Sequence, residues 1–70
     1  MNDIPFSLTG DFIELCKLLK ACSLCDSGGA AKFAITSSLV KVDGIVETRR
    51  SRKVRRAQRV EYGGQTIVII

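Results

Sequence analysis

The stretch LVKVDGIVE, residues 39–47, has the pattern of a strand, a turn and a returning strand. Val40 and Val42 alternate with a lysine, which is typical of a strand with one buried face. The Asp-Gly pair at 43–44 is the strongest short signal for a hairpin turn, and residues 45–47 return as the partner strand. This stretch therefore predicts a β-hairpin in the second half of the chain.

A second hairpin is predicted near the end of the sequence. Residues 59–62 form a strand, Gly63-Gly64 supplies the turn, and residues 65–70 form the returning strand. The returning strand is apolar enough to lie at the centre of a sheet or under a covering layer. At the other end of the chain, residues 1–10 are interpreted as a leader with room for one short strand.

Before the first hairpin, helical periodicity predicts two helices. Asp11 and Glu14 form a capping-box pattern, so the first helix is expected from about Phe12 to Cys22. Its apolar face consists of residues at helical spacing, which are Phe12, Leu15, Cys16 and Leu19.

Ser27 is the predicted N-cap of the second helix. The apolar side of that helix consists of Ala31, Ala34 and Ile35. Gly28 and Gly29 in its first turn cost about 1 kcal/mol each if they are helical. One explanation is the close approach of another backbone, or of a phosphate, to the helix N-terminus, where unpaired N–H groups attract anions. The other explanation is relaxation of a tight turn between the helices.

Seven basic residues lie between positions 49 and 59, with no acid between Glu47 and Glu61. We call residues 49–59 the arginine-rich segment; its basic residues are Arg49, Arg50, Arg52, Lys53, Arg55, Arg56 and Arg59. The net charge of the chain is +4, so the remainder of the chain is net acidic. Arginine predominates, and its planar fork binds two phosphate oxygens at once. The pattern predicts a surface that binds nucleic acid, rather than a solvated basic face or a disordered tail.

The composition of the arginine-rich segment indicates how it would bind. Val54 is its only sizeable apolar residue, so we expect an extended surface loop tethered to the sheet at both ends. None of the three phenylalanines and one tyrosine of the chain lies inside the segment, which does not favour a platform that stacks single-stranded bases. Arginine forks on a folded surface suit the phosphates and 2′-hydroxyls of helical or junction RNA.

Length and composition exclude several classes of protein. Seventy residues make one domain, 1–70, and a domain of this size buries only about 60% of its unfolded surface, so a deep catalytic cleft is not expected. The chain has no histidine, which removes the usual general base and the usual zinc nitrogen ligand. We therefore expect no enzymatic activity and no cofactor.

The three cysteines leave two interpretations open. The Cys-x-x-Cys spacing at 22–25 is that of zinc knuckles and redox motifs, but a zinc site would need Cys16 and an acid such as Asp26 as further ligands. The redox interpretation lacks the strand that precedes the motif in thioredoxin-like folds. The other interpretation places Cys16 in the core and the remaining two cysteines in a turn.

The sequence also predicts where the protein is found. The three cysteines cannot all pair with one another, and a secreted chain of this length more often has an even number. The cysteines therefore fit an intracellular protein. The first residues do not combine a basic leader with an apolar stretch, and the longest apolar run, Ile67–Ile70, is far too short to span a bilayer. We expect a cytoplasmic protein without membrane association.

The order and spacing of several stretches resemble the S-four RNA-binding domain, the alpha-L module first recognised in a small-subunit ribosomal protein. The stretches are SGGAAKFAI at 27–35, VKVDG at 40–44, VETRRSRKV at 46–54, and Val60. The chain is most similar to the small stand-alone bacterial members, and the resemblance covers roughly residues 12–62. It implies an α+β fold with two N-terminal helices packed on a small, mostly antiparallel sheet. In that fold the helices and an adjoining hairpin form an L-shaped basic face that grips structured RNA.

The resemblance also implies a set of RNA-binding residues. The residues that match basic positions of the stand-alone subgroup are Lys32, Lys41, Arg49, Arg50, Arg52 and Lys53. Ser27 and Arg55 are added to them as further candidates for RNA binding. For Lys32 and Lys41 taken alone, a solvated surface charge is the alternative interpretation. The chain departs from the family pattern at three places. Gly28 stands where many members carry a basic residue, Ser38 replaces the usual glycine before the hairpin, and Ala57-Gln58 replaces a Gly-Asp pair.

The expected function is that of a non-catalytic, monomeric RNA-binding module whose partner is a structured RNA, with the ribosome or a ribosomal subunit as candidates. One alternative is an adaptor that docks its polybasic loop on an acidic protein surface. A DNA-binding helix-turn-helix would carry its basic residues on the second helix, which offers only Lys32. Binding to a membrane surface would require a basic amphipathic helix, whereas the arginine-rich segment is expected to be extended.

Overall fold

Residues 3–70 are described by the computed structural model of the protein, and they form two helices and seven short strands. In chain order these are β1 (Asp3–Phe6), β2 (Ile13–Glu14), α1 (Leu15–Ala21), α2 (Gly28–Thr36), β3 (Lys41–Val42), β4 (Ile45–Val46), β5 (Lys53–Val54), β6 (Arg59–Tyr62) and β7 (Gln65–Ile69). Neither helix in this range has the length and hydropathy needed to cross a membrane.

The strands form one sheet of five and a separate pair. The order in the larger sheet is β1-β7-β6-β3-β4, with β1 parallel to β7 and the other neighbours antiparallel. The predicted position of the last strand is confirmed, because β7 lies between β1 and β6. The smaller pair joins β2 to β5 in antiparallel orientation. Two helices with a mostly antiparallel sheet confirm the α+β fold class.

Both predicted hairpins are present, and their turns have the expected geometry. Asp43 and Gly44 have φ of 53° and 82°, and Gly63 and Gly64 have φ of 61° and 79°. Positive φ at both central residues defines the turn whose twist matches that of paired strands. The side chain of Asp43 also accepts a hydrogen bond from the backbone N–H of Arg59 at 2.9 Å. The first hairpin turn is therefore joined directly to the start of β6.

Helix α1 begins later than the sequence predicts. Residues 13–14 are not helical, because they pair with β5 of the arginine-rich segment. Glu14 occupies the N-cap position without a side-chain capping bond, so the predicted capping box with Asp11 is wrong. The first N–H groups of the helix are satisfied from outside, since those of Leu15 and Cys16 donate to backbone carbonyls of the arginine-rich segment at 2.9 and 3.1 Å. Backbone pairing has replaced the local cap.

The predicted apolar face of α1 changes with its start. Leu15 and Leu19 are buried as expected, and Leu18 joins them. Phe12 lies before the helix and is 41% exposed, so the prediction that it belongs to the apolar face of the first helix is wrong. The neighbouring Ile13 packs against the core instead.

Helix α2 matches its prediction closely. The Ser27 hydroxyl oxygen accepts a hydrogen bond from the N–H of Ala30 at 3.1 Å, which confirms the N-cap. The three residues predicted for its apolar side, Ala31, Ala34 and Ile35, are buried. A Cβ at Gly28 would meet no atom of residues 3–70 within 4 Å, so the close approach of another backbone does not explain this glycine. The approach of a phosphate stays a prediction.

The core is formed by side chains from both helices and from the larger sheet, together with Val54 of β5. Cys25 belongs to it at 8% exposure, whereas Cys16 and Cys22 are half-buried at its edge. The prediction that Cys16 is the buried cysteine is thus wrong. The turn between the helices directs Cys25 into the core instead. Burial raises the pKa values of Cys22 and Cys25, which lowers their thiolate fraction. Among residues 3–70, no group of three metal-ligating side chains is close enough to hold an ion.

Both helices end in the same hydrogen-bond pattern. In α2 the N–H of Ser38 donates to Ile35 and that of Leu39 to Ala34, which is a Schellman motif with Ser38 at the left-handed position. Ser23 occupies the corresponding left-handed position after α1. Ser23, Ser38 and Ala57 have φ of 59°, 64° and 73°, angles that favour glycine. The departures from the family pattern at positions 38 and 57 therefore keep the loop geometry at a cost in strain.

We predict that Ser23→Gly, Ser38→Gly and Ala57→Gly each raise the free energy of unfolding by about 0.5–1 kcal/mol. A left-handed conformation costs a residue with a Cβ about 1–2 kcal/mol, and part of this gain is offset by the greater freedom of glycine in the unfolded chain. Urea unfolding followed by circular dichroism measures the change.

Ser37→Gly is the matched control. Ser37 has φ of −88°, so glycine relieves no strain there and stability should fall. An equal gain at positions 37 and 38 would contradict the role assigned to the left-handed backbone.

Candidate nucleic-acid interface

A shallow depression of about 530 Å³ lies along the arginine-rich segment. It brings together four of the residues predicted for RNA binding. Its lining consists of Arg49, Ser51, Arg52, Lys53, Arg55 and Gln58. The segment is not the plain loop that the sequence predicts, because β5 pairs with β2 in its middle and the side chain of Val54 is fully buried. The predicted apolar anchor is thus confirmed, and the segment has an additional tether between its ends.

Glu47 organises the first turn of the segment. Its carboxylate accepts two hydrogen bonds from the guanidinium of Arg49, at 3.0 and 3.2 Å, and a third from the Arg49 backbone N–H at 3.0 Å. The Nε atom of Arg52 lies 3.2 Å from the same carboxylate. Two arginines therefore share one carboxylate, which leaves a single net positive charge in the trio. The Glu47 side chain is only 13% exposed, so this arrangement is partly shielded from solvent.

These contacts change the acidity of Glu47. The side-chain hydrogen bond from Arg49 is the main cause that lowers its pKa from an ordinary value near 4.5 to about 2, although burial acts in the opposite direction. The backbone hydrogen bond and the charges of Arg49 and Arg52 lower it further. Glu47 in turn raises the pKa of Arg49. The carboxylate therefore stays ionised well into the acidic range.

Several arginines of the segment have partners within the protein. Arg52 is 26% exposed and also donates from Nη1 to the carbonyl oxygen of Lys53 at 3.2 Å. Arg56 donates to the carbonyl oxygen of Leu8 at 2.7 Å, which ties the leader to the segment. Arg59 lies 3.8 Å from the carboxylate of Asp3. These cations therefore form contacts that stabilise the fold, in addition to contributing positive charge to the surface.

The remaining basic residues of the segment are exposed and unpaired. The side chains of Arg50, Lys53 and Arg55 form no hydrogen bond or salt bridge within the part of the chain that the structure describes. Lys53 on β5 and Arg55 just after this strand flank the buried Val54, and both are exposed to solvent. Exposed cations with no carboxylate to displace are suited to binding phosphates.

Phe12 lies beside these cations. The ammonium of Lys53 is 5.0 Å from the centroid of its ring, and the guanidinium carbon of Arg55 is 5.8 Å away. The antiparallel pairing of β2 with β5 explains the contact, because Ile13 is opposite Val54, and Phe12 and Arg55 are the residues that adjoin this pair at the same end. Both distances lie within the range of a cation–π interaction. The fold thus places an exposed aromatic ring where none was expected from the sequence.

The other predicted site residues lie on different elements. Ser27 uses its hydroxyl as the N-cap of α2, and Lys32 is exposed on the same helix. Lys41 is exposed on β3 and lines a second depression of about 270 Å³, where Glu61 and Tyr62 are among its neighbours. None of the three lines the depression at the arginine-rich segment. Their role in binding stays a prediction.

Sequence reasoning missed Glu47 and Phe12 as parts of this surface. The sequence predicts Glu47 as the end of a strand and the boundary of the basic run, with no role in the surface. An acid two residues before an arginine, in a segment that turns, is a local signal that could have found it. Phe12 gave no such signal, because it is brought to the segment by strand pairing between distant parts of the chain.

Together, the small α+β fold and the partly unpaired arginine-rich segment define a small module with a candidate site for polyanions. A protein-family model described as "S4 domain" matches residues 6–70. The chain therefore belongs to the S4 domain family, which confirms the resemblance to the S-four domain.

Two curated relatives share the name YbcJ, one from Escherichia coli (strain K12) and one from Shigella flexneri. Each is 43% identical to this chain over 58 residues, which is 83% of both sequences. The solution structure of Escherichia coli YbcJ is similar with a TM-score of 0.76 and 41% identity, covering 100% of this chain and 90% of that one. It is described as revealing an alfaL motif involved in RNA-binding. These likenesses agree with the alpha-L fold and with a bacterial family.

The lowered pKa of Glu47 predicts a pH-dependent contribution to stability. A pKa that is lower in the folded chain than in the unfolded chain gives stabilisation that is present above about pH 4.5 and lost as the pH falls to about 2. The parent should therefore exceed Glu47→Gln in unfolding free energy at neutral pH, and the difference should shrink across this window. An NMR titration of the Glu47 carboxyl carbon gives its pKa directly.

Arg49→Lys separates charge from hydrogen bonding. Lysine keeps the positive charge but loses the planar fork, so the pKa of Glu47 should rise part of the way towards its ordinary value. A pKa that stays near 4.5 in the parent would contradict the geometry at Glu47.

Proposed function

We propose that this chain is a non-catalytic RNA-binding protein that recognises a structured RNA, such as ribosomal RNA, through phosphate contacts from its basic face. The observation that carries the proposal is the set of three exposed cations, Arg50, Lys53 and Arg55, that have no ion-pair partner among residues 3–70. Cations without an ion-pair partner can bind an anion without first breaking an internal salt bridge. Arg49 adds a fourth candidate, since its side chain is 76% exposed despite its bond to Glu47.

The fixed backbone of the arginine-rich segment favours binding of an RNA with a defined shape. Lys53 lies on the paired strand β5 and Arg55 follows that strand directly, two residues further along the chain, which limits the spacing between their backbones. The Glu47 contacts hold Arg49 and Arg52 around a turn in which the N–H of Arg52 donates to the carbonyl of Arg49 at 3.2 Å. Cations with fixed spacing distinguish one arrangement of phosphates from another, whereas a flexible basic tail would not.

The relatives support RNA as the partner. YbcJ of Escherichia coli is described as having a motif involved in RNA-binding, and it shares 41% of its residues with this chain over the full length of the chain. We extend that property to this protein, together with action as a monomer in the cytoplasm. The absence of histidine from the sequence is consistent with a binding role rather than acid–base catalysis.

We predict that binding to a structured RNA hairpin depends steeply on salt. Each neutralised phosphate contributes a slope of about −0.7 to −0.9 to log K against log salt, so four to six contacts give roughly −3 to −5. Fluorescence polarisation of a labelled RNA hairpin, titrated between low and moderate salt, measures the slope. A slope near zero with affinity retained would remove the basic strip as the explanation.

The same titration against an acidic polypeptide tests the alternative adaptor role. Polyglutamate presents carboxylates without the ribose hydroxyls and helical shape of RNA. An RNA-binding protein should prefer the hairpin at equal salt. A preference for polyglutamate would favour an adaptor that docks on acidic protein surfaces.

Charge reversals test how far the face extends beyond the arginine-rich segment. If Lys32 and Lys41 belong to the face, Lys32→Glu and Lys41→Glu should each weaken RNA binding, because repulsion of a phosphate replaces attraction. Both side chains are exposed, so unfolding free energies should change by no more than about 0.5 kcal/mol. NMR shift mapping with the same hairpin should show perturbations at residues 27–33, 41 and 48–56.

Lys20→Glu is the better control on helix α1. Lys17 lies 3.5 Å from the carboxylate of Glu14, so reversing its charge would also break a salt bridge. Lys20 is exposed in the last turn and has no salt-bridge partner within residues 3–70. If the NMR shift perturbations are confined to residues 49–59, and if Lys32→Glu and Lys41→Glu bind RNA like the parent, the site is limited to the arginine-rich segment.

A further inference from the structure

Phe12 is the exposed aromatic ring that strand pairing places among the free cations of the arginine-rich segment. We propose that this ring is a stacking platform for one unpaired nucleobase of the bound RNA, while Lys53 and Arg55 hold the phosphates beside that base. This inference rests on the proposed RNA-binding function and specifies which feature of the RNA is recognised. It replaces the expectation, drawn from the order of residues, that the segment lacks an aromatic platform.

The geometry presents the ring to solvent on a fixed support. Ile13 faces the core and pairs with the fully buried Val54, so the adjacent Phe12 faces away from the core together with Lys53 and Arg55. The ring is 41% exposed, which leaves part of its surface open. A phenylalanine has only two side-chain torsions, so little freedom is lost when a base stacks on it.

The cations over the ring can yield to RNA. A cation–π contact at an exposed site is weak, and Lys53 and Arg55 have flexible side chains with no other partner among residues 3–70. A phosphate is a stronger partner for either cation than the ring is. When phosphates bind these side chains, they uncover the aromatic face, and the base attached to the same nucleotide is close enough to occupy it.

The surroundings of the ring favour a nucleotide over other apolar partners. An apolar peptide segment on Phe12 would have to desolvate two neighbouring cations without compensation. A nucleotide brings a flat π surface for the ring and an anionic phosphate for the cations. Bases in a fully paired stem are stacked on each other, so the platform would select a bulged or looped-out base.

Two RNA hairpins with equal numbers of phosphates test the platform, one with a fully paired stem and one with a single unpaired adenosine in the stem. Phe12→Leu keeps apolar bulk but removes the π face. We expect it to weaken binding to the bulged hairpin by about 5-fold to 150-fold, the range for loss of one base–aromatic stack, and to leave binding to the paired hairpin unchanged. Circular dichroism checks that the variant is folded.

Phe12→Trp provides a direct readout, because the chain has no tryptophan. Its fluorescence should be quenched by the bulged hairpin and not by the paired one, and its affinity should match that of the parent. Phe33→Leu is the matched control, since Phe33 is 68% exposed on α2 and no cation lies over its ring within the described residues. Because residues 27–33 belong to the face tested above, any loss for Phe33→Leu should be equal on the bulged and the paired hairpin.

The remaining outcomes separate the platform from the proposed function. Equal losses on both hairpins for Phe12→Leu would mean that the ring only supports the cations, which overturns stacking. Binding like the parent on both hairpins, with the steep salt slope retained, would also overturn stacking but leave RNA binding intact. Failure of the parent to bind either hairpin would overturn the proposed function and the platform together. A loss for Phe33→Leu that is confined to the bulged hairpin and as large as that for Phe12→Leu would overturn the assignment of stacking to Phe12.

Discussion

The pairing of β5 with β2 is the interaction on which the rest of this structure depends. It joins the middle of the arginine-rich segment to the residues just before α1, with Val54 fully buried beneath it. The carbonyl oxygens of Arg50 and Arg52 then accept the first N–H groups of α1, so the basic segment serves as the helix cap. The same contact fixes the orientation of Lys53 and Arg55. One short ladder therefore sets the start of a helix and the geometry of the candidate binding surface.

A strip of seven like charges is unfavourable for a folded chain, and the structure reduces this cost by assigning internal partners to some of them. Glu47 binds two arginines, Leu8 accepts from a third, and Asp3 is close to a fourth. The remaining cations stay exposed. The segment is thereby divided into residues that shape the surface and residues that are free to bind an anion. An interpretation based on the number of charges treats all seven alike and misses this division.

Features controlled by neighbouring residues were predictable from the sequence. Asp43-Gly44 and Gly63-Gly64 specify their turns through backbone angles that few other pairs adopt readily, and Ser27 caps α2 through a hydrogen bond to a residue three positions away. The start of α1 was not predictable in this way. There a capping-box pattern competed with backbone pairing to a distant segment, and the pairing prevailed because it satisfies several N–H groups and accompanies the burial of an apolar side chain.

The sequence by itself determined the fold class, the two hairpins, the cap of α2 and the position of the basic strip, because each depends on residues that are close along the chain. The tertiary structure alone decided that Cys25 rather than Cys16 enters the core and that Phe12 stands among the cations of the arginine-rich segment. These outcomes depend on which distant segments meet. The directions of these side chains follow from the pairing and packing of segments that are far apart along the chain. The residues next to each side chain do not determine that pairing.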